Sequence, residues 1–229
     1  MKKNLDLKLI KKNIKNNAYI QRQELISEFF KRNISSESKF LDIGCSDGCA
    51  TLNYAKKAKI KKENVFGLDI NDDYLKSAGE KFKVFKVDLE KDDLPFDNNF
   101  FDVIVIDQVM EHIKNIHHLI IEIDRILKPG GRLIISVPNL AAWHNRFLLL
   151  IGKQPLCINV FSDHCRGFCK GALKGFICKN TNIKKEIYFK GAGFYPFWGI
   201  GAKILARIFS NSSVYLILIF QKNENSSNK

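Results

Sequence analysis

The sequence has 229 residues, a mass of 26.3 kDa, 45% hydrophobic residues and 27% charged residues. These values are typical of a globular domain and exclude collagen, a coiled coil and a disordered chain. The net charge of +13 suggests a nucleic acid or an anionic membrane as a partner. However, only seven of the 37 basic residues are arginines, the side chains that phosphate and base readout favour. The low share of arginine therefore argues against nucleic acid as the partner.

The sequence gives no sign of a targeting or membrane-spanning segment. No apolar run approaches the roughly 18–20 residues that cross a bilayer. The charged residues 1–6 are not followed by the apolar stretch of a secretory signal. We therefore expect a cytoplasmic protein whose cysteines are free, reduced thiols. The cysteines are Cys45, Cys49, Cys157, Cys165, Cys169 and Cys178.

Helical and strand patterns alternate along the first part of the chain. Residues 1–16 are predicted to form a flexible lead-in, whereas apolar residues recur at helical spacing from Asn17 to Arg32. This alternation predicts a parallel sheet with helices on both faces and a ligand at the carboxyl ends of its strands. The predicted strands lie at 39–43, 64–68, 83–87, 101–106 and 132–137, and the helices between them lie around Tyr54, at 72–81 and at 116–127.

Beyond Pro138 the alternation is looser, and residues 152–182 are predicted to form an irregular insertion. We expect a single domain over residues 17–222 and a disordered tail at 223–229. The remaining predicted elements are two helices and two closing strands, at 141–151, 201–209, 183–190 and 213–221.

The strongest functional pattern is Phe40-Leu41-Asp42-Ile43-Gly44-Cys45-Ser46-Asp47-Gly48. A strand leads there into a turn of small residues and then into a helix, whose unpaired N–H groups can bind a ligand. The dinucleotide pattern G-x-G-x-x-G is not met, because Ser46 and Cys49 occupy two of its glycine positions, and no P-loop pattern occurs. NAD is therefore not expected to bind.

Carboxylates stand at the ends of the next two predicted strands. Asp69 ends the second strand, where a carboxylate can accept two hydrogen bonds from a ribose diol. Asp88 ends the third strand, where it can accept a hydrogen bond from an adenine amino group. The alternative for either residue is an aspartate that caps the following helix.

The stretch 40–48 resembles motif I of the class I S-adenosylmethionine-dependent methyltransferases, with Ser46 in place of the middle glycine. The resemblance covers about residues 38–140, including Leu94-Pro95-Phe96 and Leu127-Lys128-Pro129-Gly130-Gly131. It implies a Rossmann-like α/β fold, a doubly wound and mostly parallel seven-stranded sheet with a reversed last strand. It also implies S-adenosylmethionine as cofactor and a small-molecule, glycan or lipid-intermediate acceptor, methylated at oxygen or nitrogen.

The resemblance also implies roles on the cofactor side. The loop after the first strand would lie under the methionine, Asp69 would bind the ribose beside Ile70, and Asp88 would bind adenine. Arg22, on the helix that covers the cofactor, would bind the methionine carboxylate; the alternative is an exposed helix arginine. The implied cofactor-binding residues are Asp42, Gly44, Cys45, Ser46, Gly48, Asp69, Ile70, Asp88, Leu89, Asp107, Gln108 and Arg22.

Two histidines are candidate general bases, His112 and His144. His112 follows Glu111 in a segment similar to the Glu-x-x-Glu-His arrangement that holds a divalent ion in ubiquinone-biosynthesis O-methyltransferases. Gln108 stands where the first glutamate would be, so no metal site is expected. The alternative for His112 is a structural, hydrogen-bonded role.

The segment 164–168 resembles a His-x-Arg-x-Phe stretch that follows the fifth strand in one set of these methyltransferases. Asn139, His164 and Arg166 are therefore the candidate acceptor-binding residues, and an arginine favours an acceptor with phosphate or carboxylate. The alternative is that they tie the loops to the sheet. Zinc is not expected, because Cys165 and Cys169 form only one closely spaced pair.

Two other functions are compatible with the sequence, and the apolar stretch 197–209 has two possible roles. A nucleic-acid methyltransferase fits the charge, but the Asn/Asp-Pro-Pro-Tyr/Phe sequence of many base amino methyltransferases is absent. A non-catalytic partner protein that binds S-adenosylmethionine is the second class. The apolar stretch 197–209 carries two bases and either packs on the sheet edge or makes a peripheral membrane contact. The oligomeric state is not determined.

Overall fold

A computed structural model describes residues 2–224, with side chains from residue 17 onward. Seven helices and seven strands are described in this range. The helices are α1 (Lys2–Asn33), α2 (Cys49–Ala58), α3 (Asp72–Gly79), α4 (Ile116–Ile126), α5 (Trp143–Leu150), α6 (Lys170–Asn180) and α7 (Gly199–Ile208). The strands are β1 (Phe40–Ile43), β2 (Val65–Asp69), β3 (Lys83–Lys86), β4 (Phe101–Asp107), β5 (Leu127–Pro138), β6 (Lys185–Ala192) and β7 (Tyr215–Gln221).

The strands form one sheet in the order β3-β2-β1-β4-β5-β7-β6. Strands β1 to β5 are parallel, and β7 is antiparallel to both β5 and β6. The predicted fold class, a doubly wound sheet with a reversed last strand, is confirmed. The strand order reverses between β1 and β4, so a crevice for a ligand opens at the carboxyl ends of these two strands.

Both faces of the sheet are buried. Alternate residues of β4 illustrate this: Ile104 and Ile106 pack into the core beneath α4, whereas Val103 and Val105 pack into the core beneath α1 and α2. Successive side chains along a strand point to opposite faces of the sheet. A strand that is buried on both faces therefore has a continuous run of apolar residues. For this reason the central strands were predictable from their sequence.

The structure corrects three predicted boundaries. α1 begins at Lys2 and so runs through the predicted lead-in, and β5 begins at Leu127 rather than at residue 132. The predicted irregular insertion contains α6, which is held by the buried pair Leu173 and Ile177 at i and i+4. Two interspersed glycines hide this helical pattern in the sequence, because glycine weakens a helix by roughly 1 kcal/mol relative to alanine.

The predicted disordered tail falls mainly on residues 225–229, which lie outside the described residues. The backbone N–H of Asn223 donates to the carbonyl of Asn182 at 3.1 Å. None of the helices in residues 2–224 is long and apolar enough to cross a bilayer.

Candidate active site

The loop after β1 has the tight backbone that its sequence predicts. Gly44 and Gly48 have φ of 77°, and Ser46 keeps a left-handed φ of 49° although it replaces a glycine. A Cβ on Gly44 would lie 2.3 Å from Cγ2 of Val109, so glycine is required at that position. Ser46 therefore preserves the turn of motif I, because a small polar residue can adopt this conformation at a modest cost.

Asp69 fixes the loop from the end of β2. Its Oδ2 accepts the Ser46 N–H at 2.9 Å and its Oδ1 accepts the Asn71 N–H at 3.0 Å. Each carboxylate oxygen can accept a second hydrogen bond, so both remain able to bind a hydroxyl group. Ile70, beside it, is an apolar side chain left 58% exposed at the carboxyl edge of the sheet.

Asp88 and Leu89 follow β3 at the same edge. Oδ1 of Asp88 accepts the Glu90 N–H at 3.1 Å, and this bond, with Lys91 nearby, lowers the pKa of Asp88. Leu89 packs against the core. Asp88 is therefore an ionised acceptor at the third strand tip, where the sequence placed it.

Asp107, at the end of β4, pairs with Arg22 of α1. Nε of Arg22 lies 3.0 Å from Oδ1 of Asp107, and both side chains are buried. The Tyr54 hydroxyl donates to Oδ2 of Asp107 at 3.4 Å. Burial raises the pKa of Asp107, and the neighbouring Arg22 opposes this. The Arg22 guanidinium lies over the Tyr19 and Tyr215 rings, at 4.8 and 4.9 Å from their centroids, so the alternative of an exposed helix arginine is wrong.

A cavity of about 800 Å³ adjoins this pair. Polar residues line the part that follows β4, whereas α5 and the loops around it supply apolar walls. The lining residues are Ala18, Gln108, Glu111, His112, Pro138, Asn139, Trp143, His144, Asn145, Phe147, Leu148, Leu156, Cys157, His164, Tyr195, Pro196, Val214 and Tyr215.

Comparisons with known proteins agree with this geometry. Residues 41–135 match the family model described as a methyltransferase domain. A ubiquinone/menaquinone biosynthesis C-methyltransferase from Idiomarina loihiensis is 34% identical over 104 residues, which are 42% of this chain and 41% of that enzyme. The chain thus spans about two fifths of the length of the first curated relatives that it matches.

Solved structures share the fold at low identity. A S-adenosylmethionine-dependent methyltransferase from Archaeoglobus fulgidus superposes with a TM-score of 0.58 at 19% identity, covering 87% of this chain and 94% of its own. A putative methyltransferase of Haloferax volcanii, solved in complex with the Trm112 methyltransferase activator, gives a TM-score of 0.65 at 14% identity, covering 95% of this chain and 94% of its own.

Residues 41–135 of this chain therefore resemble a methyltransferase domain, and its fold is shared with S-adenosylmethionine-dependent methyltransferases. The cofactor that the family and fold imply is S-adenosylmethionine. The described residues would fit this cofactor, because Arg22 and Asp107 could offer one positive and one negative group to its amino-acid moiety. Asp69 has free lone pairs for ribose hydroxyls, and the exposed Ile70 offers an apolar surface for an adenine ring.

Three of the predicted cofactor-side residues have structural roles. The buried Asp42 accepts the Thr51 hydroxyl at 2.6 Å, and burial raises its pKa to about 7. Burial also raises the pKa of the Cys45 thiol, which is an inert packing group. The Gln108 amide donates to the Ser136 hydroxyl at 3.1 Å. Asp42 and Cys45 therefore support the loop from below.

Sequence reasoning separated Glu111 and His112 from His164, but the structure brings them together. Their potential ligand atoms lie within 4.8 Å of one another. Oε2 of Glu111 is buried with no hydrogen-bond partner, and burial raises the pKa of Glu111 to about 7. In the described residues this is the cluster able to hold a metal ion, and the cysteines form no such cluster there.

The two histidines of this cluster share one tautomer. Nδ1 of His112 contacts the Asp163 carbonyl at 3.2 Å, and Nδ1 of His164 contacts the Cys157 carbonyl at 2.6 Å. Because a carbonyl only accepts, Nδ1 carries the proton in each neutral ring and Nε2 keeps its lone pair. Both rings can therefore accept a proton or ligate a cation through Nε2.

His144 lines the cavity but is a weak base. Burial lowers its pKa to about 4, and its Nδ1 is buried without a hydrogen-bond partner. Its ring lies 5.1 Å from that of Tyr195. A neutral ring suits hydrogen bonding to an acceptor better than proton abstraction, so the predicted role of His144 as a general base is the less favoured one.

Of the other two predicted acceptor-side residues, Asn139 lines the cavity and Arg166 holds a loop in place. Asn139 lines the cavity, but its amide nitrogen donates to the carbonyls of Asn211 and Ser213 and its amide oxygen accepts the Ala141 N–H. Arg166 donates to the Lys114 carbonyl and is not a lining residue. These bonds favour the alternative that both residues tie the loops to the sheet, whereas His164 keeps its Nε2 lone pair at the cavity.

Proposed function

We propose that this protein transfers a methyl group from S-adenosylmethionine to an amphiphilic small molecule. The observation that carries the proposal is the two-part lining of the 800 Å³ cavity, with the polar cluster Glu111, His112 and His164 in one part and apolar side chains from α5 in the other. Such a cavity suits a ligand with one polar group and an apolar body. A relative's name also refers to lipophilic quinones, although the match covers only part of that enzyme.

The cofactor supplies an electrophilic methyl group when bound. Arg22 and Asp107 would bind its amino-acid moiety, Asp69 its ribose, Asp88 and Leu89 its adenine. The protein's remaining task is alignment, because a nucleophile held about 3–3.5 Å from its target gains several kcal/mol of effective concentration.

His112 would take the proton from an acceptor hydroxyl or amine. Its Nε2 lone pair is available, and its ring is held by the Asp163 carbonyl. The acquired positive charge would be stabilised by Glu111, whose carboxyl lies in the same cluster. His144 would orient the acceptor as a neutral hydrogen-bonding group, in agreement with its lowered pKa.

The test is transfer of a radiolabelled methyl group from S-adenosylmethionine to a panel of lipophilic phenols and hydroquinones. Sugars and water-soluble carboxylates serve as matched polar acceptors. Label in the lipophilic products, lost in Asp69→Ala, supports the proposal. Label only in the polar acceptors would contradict the acceptor class. Cofactor binding with no transfer to any acceptor would favour the non-catalytic partner protein, and transfer to RNA would favour the nucleic-acid alternative.

A further inference from the structure

The last helix presents its apolar side away from the protein. In α7 the buried residues are the small Ala202 and Ala206, whereas Ile200, Ile204 and Ile208 are 77%, 52% and 65% exposed. Residues at i, i+4 and i+8 lie on one helix face, so the three isoleucines form a continuous stripe. A surface helix normally has the opposite arrangement, with its large apolar residues toward the core.

The helix at the cavity has the same inversion. The buried residue of α5 is the polar Asn145, and its large apolar residues, among them Phe147 and Leu150, are exposed. In the loop that follows, Phe161 is 98% exposed. Single exposed apolar residues are ordinary, but a contiguous set of them marks an interaction site.

An aromatic cluster joins the two helices into one surface. The Trp143 ring stacks on Phe194 at 6.4 Å, and Phe194 lies 6.4 Å from both Phe197 and Phe209. These ring contacts connect the start of α5 with the end of α7. The exposed apolar side chains of α5, α7 and residues 151–161 and 197–198 are termed here the apolar rim. The exposed Trp143 and Phe147 also line the cavity, so the cavity opens within this rim.

The same part of the chain is strongly basic. Residues 139–222 contain 12 lysines and arginines and two acidic residues, and they carry most of the net charge of +13. One of the acids, Glu186, is already paired with Lys170 and Lys174. Arg146 on α5 and Arg207 on α7 are exposed beside the rim. An apolar surface flanked by cations is complementary to an anionic lipid interface.

We propose that the apolar rim docks this protein on the surface of an anionic lipid bilayer. The isoleucines of α7 and the apolar residues of α5 enter the interface, and Arg146 and Arg207 contact lipid phosphates. RNA bases stack on aromatic rings but offer no aliphatic surface to cover the isoleucine stripe, and a second copy would bring another cationic surface against this one. If the proposed methyl transfer is correct, the bilayer also delivers the acceptor to the cavity, but docking does not depend on it.

The test is co-sedimentation of the full chain with phosphatidylcholine vesicles, with and without phosphatidylglycerol. We expect binding to the anionic vesicles that weakens with salt, and a blue shift of tryptophan emission as Trp198 enters the interface. Ile204→Glu should weaken binding by about tenfold or more, because a charge replaces an inserted apolar group. Ile121→Glu is the matched control, since Ile121 on α4 is 54% exposed but lies outside the rim. Thermal melting shows that both variants fold.

Four outcomes would overturn the proposal. The first is that the protein does not bind anionic vesicles, and the second is that Ile121→Glu and Ile204→Glu lose vesicle binding equally. The third is a homodimer in sedimentation velocity that Ile204→Glu dissociates. The fourth is binding to RNA that Ile204→Glu abolishes and Ile121→Glu does not. The readout is vesicle binding, so its failure is separate from any failure of methyl transfer.

Discussion

Nε of Arg22 lies 3.0 Å from Oδ1 of Asp107, so the first helix is tied by a buried ion pair to the tip of the central strand β4. The pair lies at the carboxyl end of β4, next to Gln108, which lines the cavity. It also ties the position of α1 to Asp107, which the proposed function places in the cofactor site.

Breaking this pair should cost both stability and cofactor affinity. Arg22→Met leaves Asp107 buried without its cation, which costs about 3–5 kcal/mol for a buried pair. The double variant with Asp107→Asn should recover part of the unfolding free energy but none of the S-adenosylmethionine affinity. Chemical denaturation measures the stability, and calorimetry the cofactor affinity, of the wild type, the two single variants and the double variant. Full affinity in Arg22→Met would exclude the pair from the cofactor site.

Asp69→Ala should weaken S-adenosylmethionine binding by about tenfold or more, because charge-assisted hydrogen bonds contribute roughly 1.5–3 kcal/mol. The variant also releases the Ser46 and Asn71 N–H groups that Asp69 accepts. Isothermal calorimetry measures the affinity, with the exposed Asp97→Ala as the control. Unchanged affinity would refute the ribose assignment. NAD should give no heat with the wild-type protein.

Asp42→Asn should stabilise the protein at high pH. Folding raises the pKa of Asp42 from 3.8 to about 7, so the folded state holds a proton that the unfolded state has lost between these values. The wild-type free energy of unfolding therefore falls as pH rises from about 4 to 7, by roughly 2–4 kcal/mol from this group. Asparagine keeps the bond from Thr51 and has no such dependence. Urea denaturation at pH 5 and pH 8 compares the two proteins; parallel pH profiles would contradict the shifted pKa.

His112→Asn should lower methyl transfer about 100-fold, the usual contribution of general-base catalysis, with cofactor affinity unchanged.

His144→Asn should raise the KM for the acceptor and leave the pH profile in place, because His144 stays neutral above about pH 4. Arg166→Ala should lower thermal stability without affecting acceptor binding, since it braces the Lys114 carbonyl. If His144→Asn shifts the pH profile and His112→Asn does not, the two roles are reversed.

Transfer should persist after chelation, and the purified protein should contain no stoichiometric zinc. Glu111 is the single carboxylate in its cluster, because Gln108 replaces the second acidic ligand of the related metal site. Elemental analysis and activity after dialysis against EDTA test this expectation. Loss of activity that Mg²⁺ or Zn²⁺ restores, and that Glu111→Gln makes irreversible, would make Glu111, His112 and His164 metal ligands.

The sheet and the turn after β1 can be predicted from local patterns in the sequence. The central strands are covered on both faces, so their apolar runs are continuous and their ends can be located by counting residues. The acids at those ends, Asp69, Asp88 and Asp107, then fall at one edge, since parallel strands all end there. The turn from Gly44 to Gly48 is likewise a local property of small residues.

Contacts between segments that are distant in the sequence could not be predicted in this way. Burial of Arg22, the approach of His164 to Glu111 and the lowered pKa of His144 each depend on how loops and helices pack across the sheet. The helical period of α7 shows in its sequence, but not which side is exposed. That side is set by Ala202 and Ala206, whose small side chains allow close packing against the protein and leave the isoleucines outside.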